Sequence, residues 1–232
     1  VQLELGGKDP AYVCDDVDPK SAAQNVASGV FYNTGQSCCS IERVYVHEKL
    51  YDAFVKEFLE EVASFKMGDP MEEGVFIGPL TRDPQRAIIQ AQVDDAVAKG
   101  ATLRCGGASV DGPGYYYQPT VLTEVTADMD VMQEESFGPI IGIQKVSSDE
   151  EALNQMNESR YGLTASVFCQ AEDRARKILA KLEAGSAYWN CCDRVSPHLP
   201  WTGWKDSGVG STLGHDGIRA FLQPKGWHLR RS

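Results

Sequence analysis

Apolar residues recur along the chain with two periods, one typical of helices and the other of strands. Helical spacing predicts helices at residues 18–30, 51–62, 83–99, 149–159 and 172–183. Strand-like runs are found at residues 1–5, 12–14, 41–47, 102–105, 117–122, 140–146, 165–169 and 187–189. Because strands and helices alternate, the pattern predicts an α/β fold with a mainly parallel sheet that carries helices on both faces.

Two of the predicted helices begin at an Asp-Pro pair, Asp18-Pro19 and Asp83-Pro84. An aspartate before a helix can accept hydrogen bonds from its first turn, and proline suits the first helical position. The helix that starts at Asp83-Pro84 is expected to stop at Lys99-Gly100, because glycine commonly follows the last turn.

The periodicity is lost after residue 189. Residues 190–210 form a long stretch without a helical or strand pattern, and unstructured stretches of this length are usually functional. A helix at residues 213–222 and a last strand at residues 223–229 are predicted to follow.

Length and composition are those of a globular protein. The 232 residues, 42% hydrophobic and 24% charged, can bury a full core, and no apolar run approaches the roughly 20 residues that cross a bilayer. The chain starts with Val1, and the strand-like run that follows has none of the features of a targeting peptide. We therefore expect a piece of a longer protein.

Charge and cysteine content narrow the possible partners. A formal net charge of −11 repels phosphate backbones, so we expect no nucleic-acid partner. Seven cysteines at irregular spacing argue against a disulfide framework and for a reducing compartment, which we take to be the cytoplasm. The doublets Cys38-Cys39 and Cys191-Cys192 predict no zinc site, because zinc ligands are usually two or more residues apart.

The candidate nucleophile is Cys38, on a glycine-containing loop between a predicted helix and a predicted strand. By itself the residue has two interpretations, since a loop cysteine is most often a packed thiol, whereas a thiolate near a helix end can attack a carbonyl carbon. A Cys–His pair has no local support, because the four histidines are scattered at His47, His198, His215 and His228.

Four ordered motifs resemble those of the aldehyde dehydrogenase superfamily. They are Phe31-Tyr32-Asn33-Thr34-Gly35-Gln36-Ser37-Cys38, Glu4-Leu5-Gly6-Gly7-Lys8, Glu134-Glu135-Ser136-Phe137-Gly138-Pro139, and the loop at residues 190–210. The resemblance implies that Cys38 is the nucleophile, with Cys39 a bystander, and that Glu4 is the general base. It also implies oxidation of an aldehyde to a carboxylic acid through a cysteine thiohemiacetal and thioester.

The same resemblance assigns cofactor and substrate contacts. Glu135 would bind the nicotinamide ribose of NAD or NADP, and Phe137 would pack near the nicotinamide. Asn190 and Trp201 would lie beside the aldehyde. Many members continue with Arg-Glu-Leu-Gly where this chain has Ser211-Thr212-Leu213-Gly214, so a carboxylate that is often discussed as a proton relay is missing. Deprotonation of water would therefore depend more on Glu4.

The resemblance also implies a domain arrangement. Residues 1–212 would be the catalytic domain, and residues 213–232 a helix and strand that return to the cofactor and oligomerisation region. Most of the cofactor domain would precede Glu4 in the family, and the full-length protein would be a homodimer or homotetramer. A cofactor-free binding or assembly unit and a thiol esterase stay open as alternatives. The identity of the aldehyde is also open. Arg194 and His198 favour a carboxylate-bearing substrate, whereas the tryptophan residues favour an aromatic or apolar one.

Overall fold

The computed structural model describes residues 1–231. Its strands are β1 (Leu3–Glu4), β2 (Asp9–Val13), β3 (Ile41–His47), β4 (Lys66–Met67), β5 (Val75–Ile77), β6 (Thr102–Cys105), β7 (Thr120–Thr123), β8 (Ile140–Val146), β9 (Tyr161–Gly162), β10 (Thr164–Phe168), β11 (Ser186–Trp189), β12 (Trp204–Lys205) and β13 (Gly208–Val209). Its helices are α1 (Pro19–Phe31), α2 (Glu48–Ser64), α3 (Pro84–Ala98), α4 (Asp130–Gln133), α5 (Asp149–Asn157), α6 (Glu172–Leu179) and α7 (Gly214–Arg219), and a 3-10 helix spans Tyr32–Gly35.

A seven-stranded sheet with the order β11-β10-β2-β3-β8-β7-β6 forms the centre of the chain. Five of its six neighbouring pairs are parallel, and only the edge pair of β6 with β7 is antiparallel. The strands β2 and β3 are buried at every position, as expected when helices cover both faces. The predicted α/β class with a mainly parallel sheet is therefore confirmed.

Two apolar layers separate the sheet from its helices. In β2, Ala11 and Val13 belong to the layer that contains residues of α1 and α2, whereas Tyr12 belongs to the layer on the other face. This alternation is the two-residue period of a strand. Phe54 and Phe58 of α2, with ring centroids 5.6 Å apart, fill the first layer.

Helix starts provide a matched test of capping. Asp18 Oδ2 accepts a hydrogen bond of 2.8 Å from the Ser21 amide, whereas Asp83 makes no capping bond. We expect Asp18→Ala to lower the free energy of unfolding by about 1 kcal/mol, because the first-turn amide loses its acceptor. Asp83→Ala is the control and should stay within about 0.5 kcal/mol. Urea unfolding followed by circular dichroism measures both, and equal losses would contradict the assignment of the cap.

The C-terminal part of the chain differs from the expectation. Residues 190–210 are not wholly irregular, because β12 pairs with β9, β13 pairs with β1, and Trp201 forms an antiparallel bridge with Thr212. The predicted helix at 213–222 is shorter, Gly214–Arg219. The predicted strand at residues 223–229 was wrong for this structure, since the segment is exposed and its backbone meets no neighbouring strand within residues 1–231.

Within residues 1–231, no helix has both the length and the apolar character that crossing a bilayer requires.

Candidate active site

Three of the sequence motifs meet at the amino-terminal ends of the parallel strands in the middle of the sheet. The Glu4-Leu5-Gly6-Gly7 segment precedes β2, the Cys38 loop precedes β3, and the segment of residues 135–138 precedes β8. Strands β2, β3 and β8 are parallel neighbours in this order. Residues just before such strands therefore lie side by side, although they are up to 134 positions apart in the chain.

Glycine allows these segments to approach each other closely. A Cβ atom at Gly7 would lie 2.7 Å from the carbonyl oxygen of Cys38, too near for any other residue without a shift of the backbone. A Cβ atom at Gly35 would overlap the carbonyl group of Gly138, and Gly35 also has a φ of +69°. Both motif glycines thus hold the Cys38 loop against its two neighbours.

The Cys38 loop is also anchored through side chains. The amide of Gln36 donates to the carbonyl oxygen of Pro79 (3.2 Å), and its oxygen accepts from the backbone amide of Thr81 (2.8 Å). After the thiol, the Ser40 hydroxyl donates to the Ser37 carbonyl oxygen (2.9 Å). The half-buried Cys38 is therefore presented from a loop tied down on both sides.

The electrostatic environment distinguishes Cys38 from the other thiols. A hydrogen bond from Cys39 lowers the pKa of Cys38 to about 7, against opposing effects of burial and the nearby Glu4 and Glu135 carboxylates. The other six cysteines have raised pKa values. Burial is the main cause for five of them, Cys14, Cys105, Cys169, Cys191 and Cys192.

Cys39 is a buried thiol rather than a second nucleophile. The pKa of Cys39 is raised by its hydrogen bond to Cys38 and by burial, so the group stays protonated and acts as a donor. In the structure the Cys39 thiol donates to Asp193 Oδ1 at 3.0 Å, a bond that competes with donation to the Cys38 sulfur. Asp193 therefore belongs to the site, although sequence reasoning missed it.

Glu4 lies close enough to Cys38 for its charge to act on the thiol. It is exposed, on β1, where it pairs with Gly208 of β13. The neighbouring Leu5 amide donates to the carbonyl oxygen of Ser207 (3.0 Å). Glu4 is thus a solvent-accessible carboxylate whose charge acts on the thiol and whose backbone is held by the loop of residues 190–210.

Glu135 and Phe137 border the same place. Glu135 Oε1 accepts a hydrogen bond of 3.0 Å from the Gly7 amide, and burial raises the pKa of Glu135. Within residues 1–231, its second oxygen has no protein donor and is left to accept a hydroxyl group. Phe137 is 37% exposed and its backbone is left-handed, with φ 47°. A free acceptor near an exposed aromatic residue fits the ribose and nicotinamide of a dinucleotide.

Trp201 closes another side of the site. The residue is 9% exposed and forms an apolar cluster with Leu163, Cys39 and the partly buried Cys38. An open groove of about 330 Å³ runs from Trp201 and is also lined by Tyr188. The predicted substrate residue Trp201 is therefore brought to the nucleophile and to a groove that can hold a small molecule.

Asn190 is not brought together with these residues. It follows β11, which is parallel to β10, and so lies at the carboxyl-terminal edge of the sheet, opposite Cys38. Its side-chain oxygen accepts from the Cys169 amide and its nitrogen donates to the Cys169 carbonyl oxygen, both at 3.0 Å. These bonds occupy the amide in joining β11 to β10 rather than in the site.

Two buried charges were also missed, Lys8 and Glu42, which form an ion pair of 2.7 Å beneath the site. The available signal was a charged doublet, Glu42-Arg43, inside an apolar strand at the centre of the sheet. No group of three or more metal-binding side chains occurs within residues 1–231.

The chain resembles proteins of one family over nearly its whole length. Residues 1–226 match the model of the "Aldehyde dehydrogenase family". Succinate-semialdehyde dehydrogenase [NADP(+)] 1 of Mycobacterium ulcerans is 40% identical over 223 residues, which are 96% of this chain and 49% of the relative. Chloroplastic betaine aldehyde dehydrogenase of Atriplex hortensis is 36% identical over 97% of this chain and 45% of its own length.

Solved structures agree with this relationship. Lactaldehyde dehydrogenase from Escherichia coli superposes with a TM-score of 0.92 at 37% identity, covering 96% of this chain and 47% of that protein. Betaine aldehyde dehydrogenase from Staphylococcus aureus, solved in complex with NAD+, gives a TM-score of 0.92 at 32% identity over 96% and 45% of the two chains. The chain spans about half the length of these relatives. It belongs to the aldehyde dehydrogenase family.

Proposed function

We propose that the whole protein oxidises an aldehyde to a carboxylic acid with NAD or NADP, and that Cys38 is its nucleophile. The observation that carries this proposal is that Cys38, the one thiol with a lowered pKa, lies on a loop packed closely against the segments that carry Glu4 and Glu135. The relatives reported above bear the names of aldehyde dehydrogenases, which supports the same reaction class.

The first step is attack of the Cys38 thiolate on the carbonyl carbon of the aldehyde. With a pKa of about 7, roughly half of the thiol is ionised at neutral pH. The attack forms a C–S bond and moves the carbonyl electrons to oxygen, which gives a thiohemiacetal anion. The backbone amide of Cys38 is assigned to stabilise this oxyanion, as donors placed where charge develops usually do.

The cofactor contacts are assigned to Glu135 and Phe137. The free carboxylate oxygen of Glu135 would accept a ribose hydroxyl, and the exposed ring of Phe137 would pack against the nicotinamide. A bound nicotinamide supplies a hydride acceptor, which allows the thiohemiacetal carbon to reach the oxidation level of a thioester. Both NAD and NADP are candidates, because the names of the relatives and solved structures include both.

The last step is hydrolysis of the Cys38 thioester, with Glu4 as the base. Its exposure gives water access to the carboxylate, and its charge acts on the Cys38 thiol, which supports assigning it to the water that attacks the acyl carbon. Glu4 takes a proton from the water, the hydroxide adds to the acyl carbon, and the C–S bond breaks to release the carboxylic acid and Cys38.

Aldehyde-dependent reduction of NAD or NADP by the whole protein tests the proposal. Absorbance of the reduced nicotinamide should rise only when both aldehyde and cofactor are present, and the acid should accumulate in equal amount. Hydrolysis of activated esters without any aldehyde oxidation would favour the alternative of a thiol esterase. For the 232 residues alone we expect no reduction, because the contacts assigned here reach only the nicotinamide end of the dinucleotide.

We also propose that the whole protein is a cytoplasmic homodimer or homotetramer. Large apolar side chains are exposed towards the end of the chain, and exposed apolar patches commonly mark contacts between proteins. The members of this group are Ile218, Phe221, Leu222, Trp227 and Leu229. Sedimentation equilibrium should give a mass of two or four chains, and a monomeric mass at micromolar concentration would contradict the proposed assembly.

A further inference from the structure

We propose that the buried pair Lys8–Glu42 is a positioning device that holds the cofactor-contacting segment, residues 135–138, in register with Cys38 and Glu4. The inference rests on the proposed function, because that function assigns Glu135 and Phe137 to the cofactor. Neither Lys8 nor Glu42 touches the reacting atoms in this assignment. They act through the backbone that carries Glu135 and Phe137.

The carboxylate of Glu42 binds the segment directly. Its Oε2 accepts hydrogen bonds from Lys8 Nζ (2.7 Å) and from the Ser136 amide (2.8 Å), and its Oε1 accepts from the Phe137 amide (2.9 Å). Two consecutive backbone amides thus converge on one carboxylate. The Glu42 side chain is only 6% exposed, so water does not compete effectively for these bonds.

Lys8 joins the same segment to the Gly6-Gly7 turn. Its fully buried ammonium group also donates to the Ser136 hydroxyl (2.9 Å). Its carbonyl oxygen accepts from Arg43 Nε (2.8 Å), so its backbone is fixed as well. Because Lys8 follows Gly7, whose amide holds Glu135, the ion pair links the Glu4 motif to the cofactor segment at two points.

An irregularity in the sheet turns Glu42 towards this segment. Asp9 of β2 lies opposite Ile41 of β3, and the next residue, Pro10, lies opposite Arg43, so Glu42 is skipped in the pairing. An extra residue of this kind is a β-bulge, which redirects a side chain and is frequent near active sites. Proline at the bulge has no amide hydrogen to leave unpaired. The bulge therefore frees Glu42 from the regular alternation of the strand.

The backbone of the segment requires such support. Phe137 has a φ of 47°, a left-handed conformation that is unfavourable for an aromatic residue and persists only where the surroundings enforce it. The hydrogen bond from its amide to Glu42 is one such constraint. Loss of the carboxylate charge would allow Phe137 to relax and would move the ring and the Glu135 carboxylate away from the cofactor.

The test is Glu42→Gln in the whole protein, with steady-state kinetics and alkylation of Cys38. We expect KM for the dinucleotide to rise at least about tenfold, while KM for the aldehyde and the cofactor-free alkylation rate of Cys38 stay within about twofold. Glu60→Gln is the matched control, because Glu60 pairs with Lys56 on the surface and should change none of these values.

Glu42→Gln leaves the Lys8 charge buried without a full partner and can impair folding. The double variant Lys8→Met/Glu42→Leu removes both charges together, and it should give the same rise in KM for the dinucleotide. An unchanged cofactor KM in a folded variant, or equal losses in all three measurements, would overturn the positioning role alone. A wild-type protein that reduces neither NAD nor NADP would overturn the proposed function and, with it, this inference.

Discussion

Replacement of Glu4 by glutamine in the whole protein is expected to slow hydrolysis of the Cys38 thioester by about a hundred- to ten-thousandfold, the usual contribution of a general base. Formation of the thioester should be nearly unaffected, because Cys38 is already partly ionised near pH 7 without a base. The acyl-enzyme should therefore accumulate. Rapid mixing should show a burst of reduced cofactor, with one equivalent per site, followed by a slow steady state.

The burst separates two roles for Glu4. Its negative charge raises the pKa of Cys38, so glutamine should make the thiol slightly more acidic and the burst no slower. Glu60→Gln on the surface of α2 is the control for the chemical change and should retain the wild-type steady state. A burst and a steady state reduced by the same factor would instead assign Glu4 to thiol activation or to structure.

Cys38 is expected to be the first of the seven thiols alkylated at neutral pH. Only the thiolate reacts, so the rate of its modification should rise with pH and reach half of its maximum near pH 7, the pKa of Cys38. The other six thiols have raised pKa values and should remain largely unmodified during a brief exposure to iodoacetamide. Peptide mapping by mass spectrometry identifies the modified residue, and most of the label on Cys39 or Cys191 would disprove the assignment of the nucleophile.

A substitution of Cys39 tests the origin of this reactivity. Cys39→Ala removes the main cause of the lowered pKa of Cys38, so the midpoint of the rate against pH should move up to at least about 8.5, the ordinary value of a cysteine, because burial and the Glu4 charge still act to raise it. Cys191→Ala, a cysteine of the other doublet, should leave the midpoint near pH 7. If Cys39→Ala also left it there, the cause would lie elsewhere, for example in the backbone amide of Cys38 itself.

The central elements were predictable because local signals and the tertiary environment agree. The strand at residues 41–47 was predicted at its observed bounds, and the predicted Asp18 cap is present in α1. The failures occur where structure depends on a distant partner. The two-residue pairings of β1 with β13 and of β9 with β12 are too short to show a period, and the apolar pattern at residues 223–229 cannot form a strand without a neighbour.

In the candidate site, too, residues within sequence motifs were predictable, whereas contacts between residues far apart in the chain were not. Cys38, Glu4, Glu135, Phe137 and Trp201 stand in motifs whose order along the chain points to a common function, and the fold brings them to one edge. The contacts that support them join residues far apart, such as Cys39 with Asp193 or Glu42 with Ser136, and no spacing in a single sequence reveals such pairs. The sequence did not separate Asn190 from the site, because Asn190 and Asp193 belong to the same loop. The loop begins with Asn190 at the carboxyl-terminal ends of the strands, where Asn190 bonds Cys169, and then returns to the site, where Asp193 bonds Cys39.

The bulge between β2 and β3 has a consequence for how the site is encoded. A strand alternates its side chains with a period of two, so one extra residue inverts the phase of everything on one side of it. Glu42 is that residue, with Ile41 upstream of it and the buried core of β3 downstream. Ile41 before the bulge and Val44 and Val46 after it therefore lie in the same apolar layer, at odd spacings that an unbroken strand would place on opposite faces. In this region, the number of residues, and not only their chemical identity, determines which face of the sheet each side chain occupies.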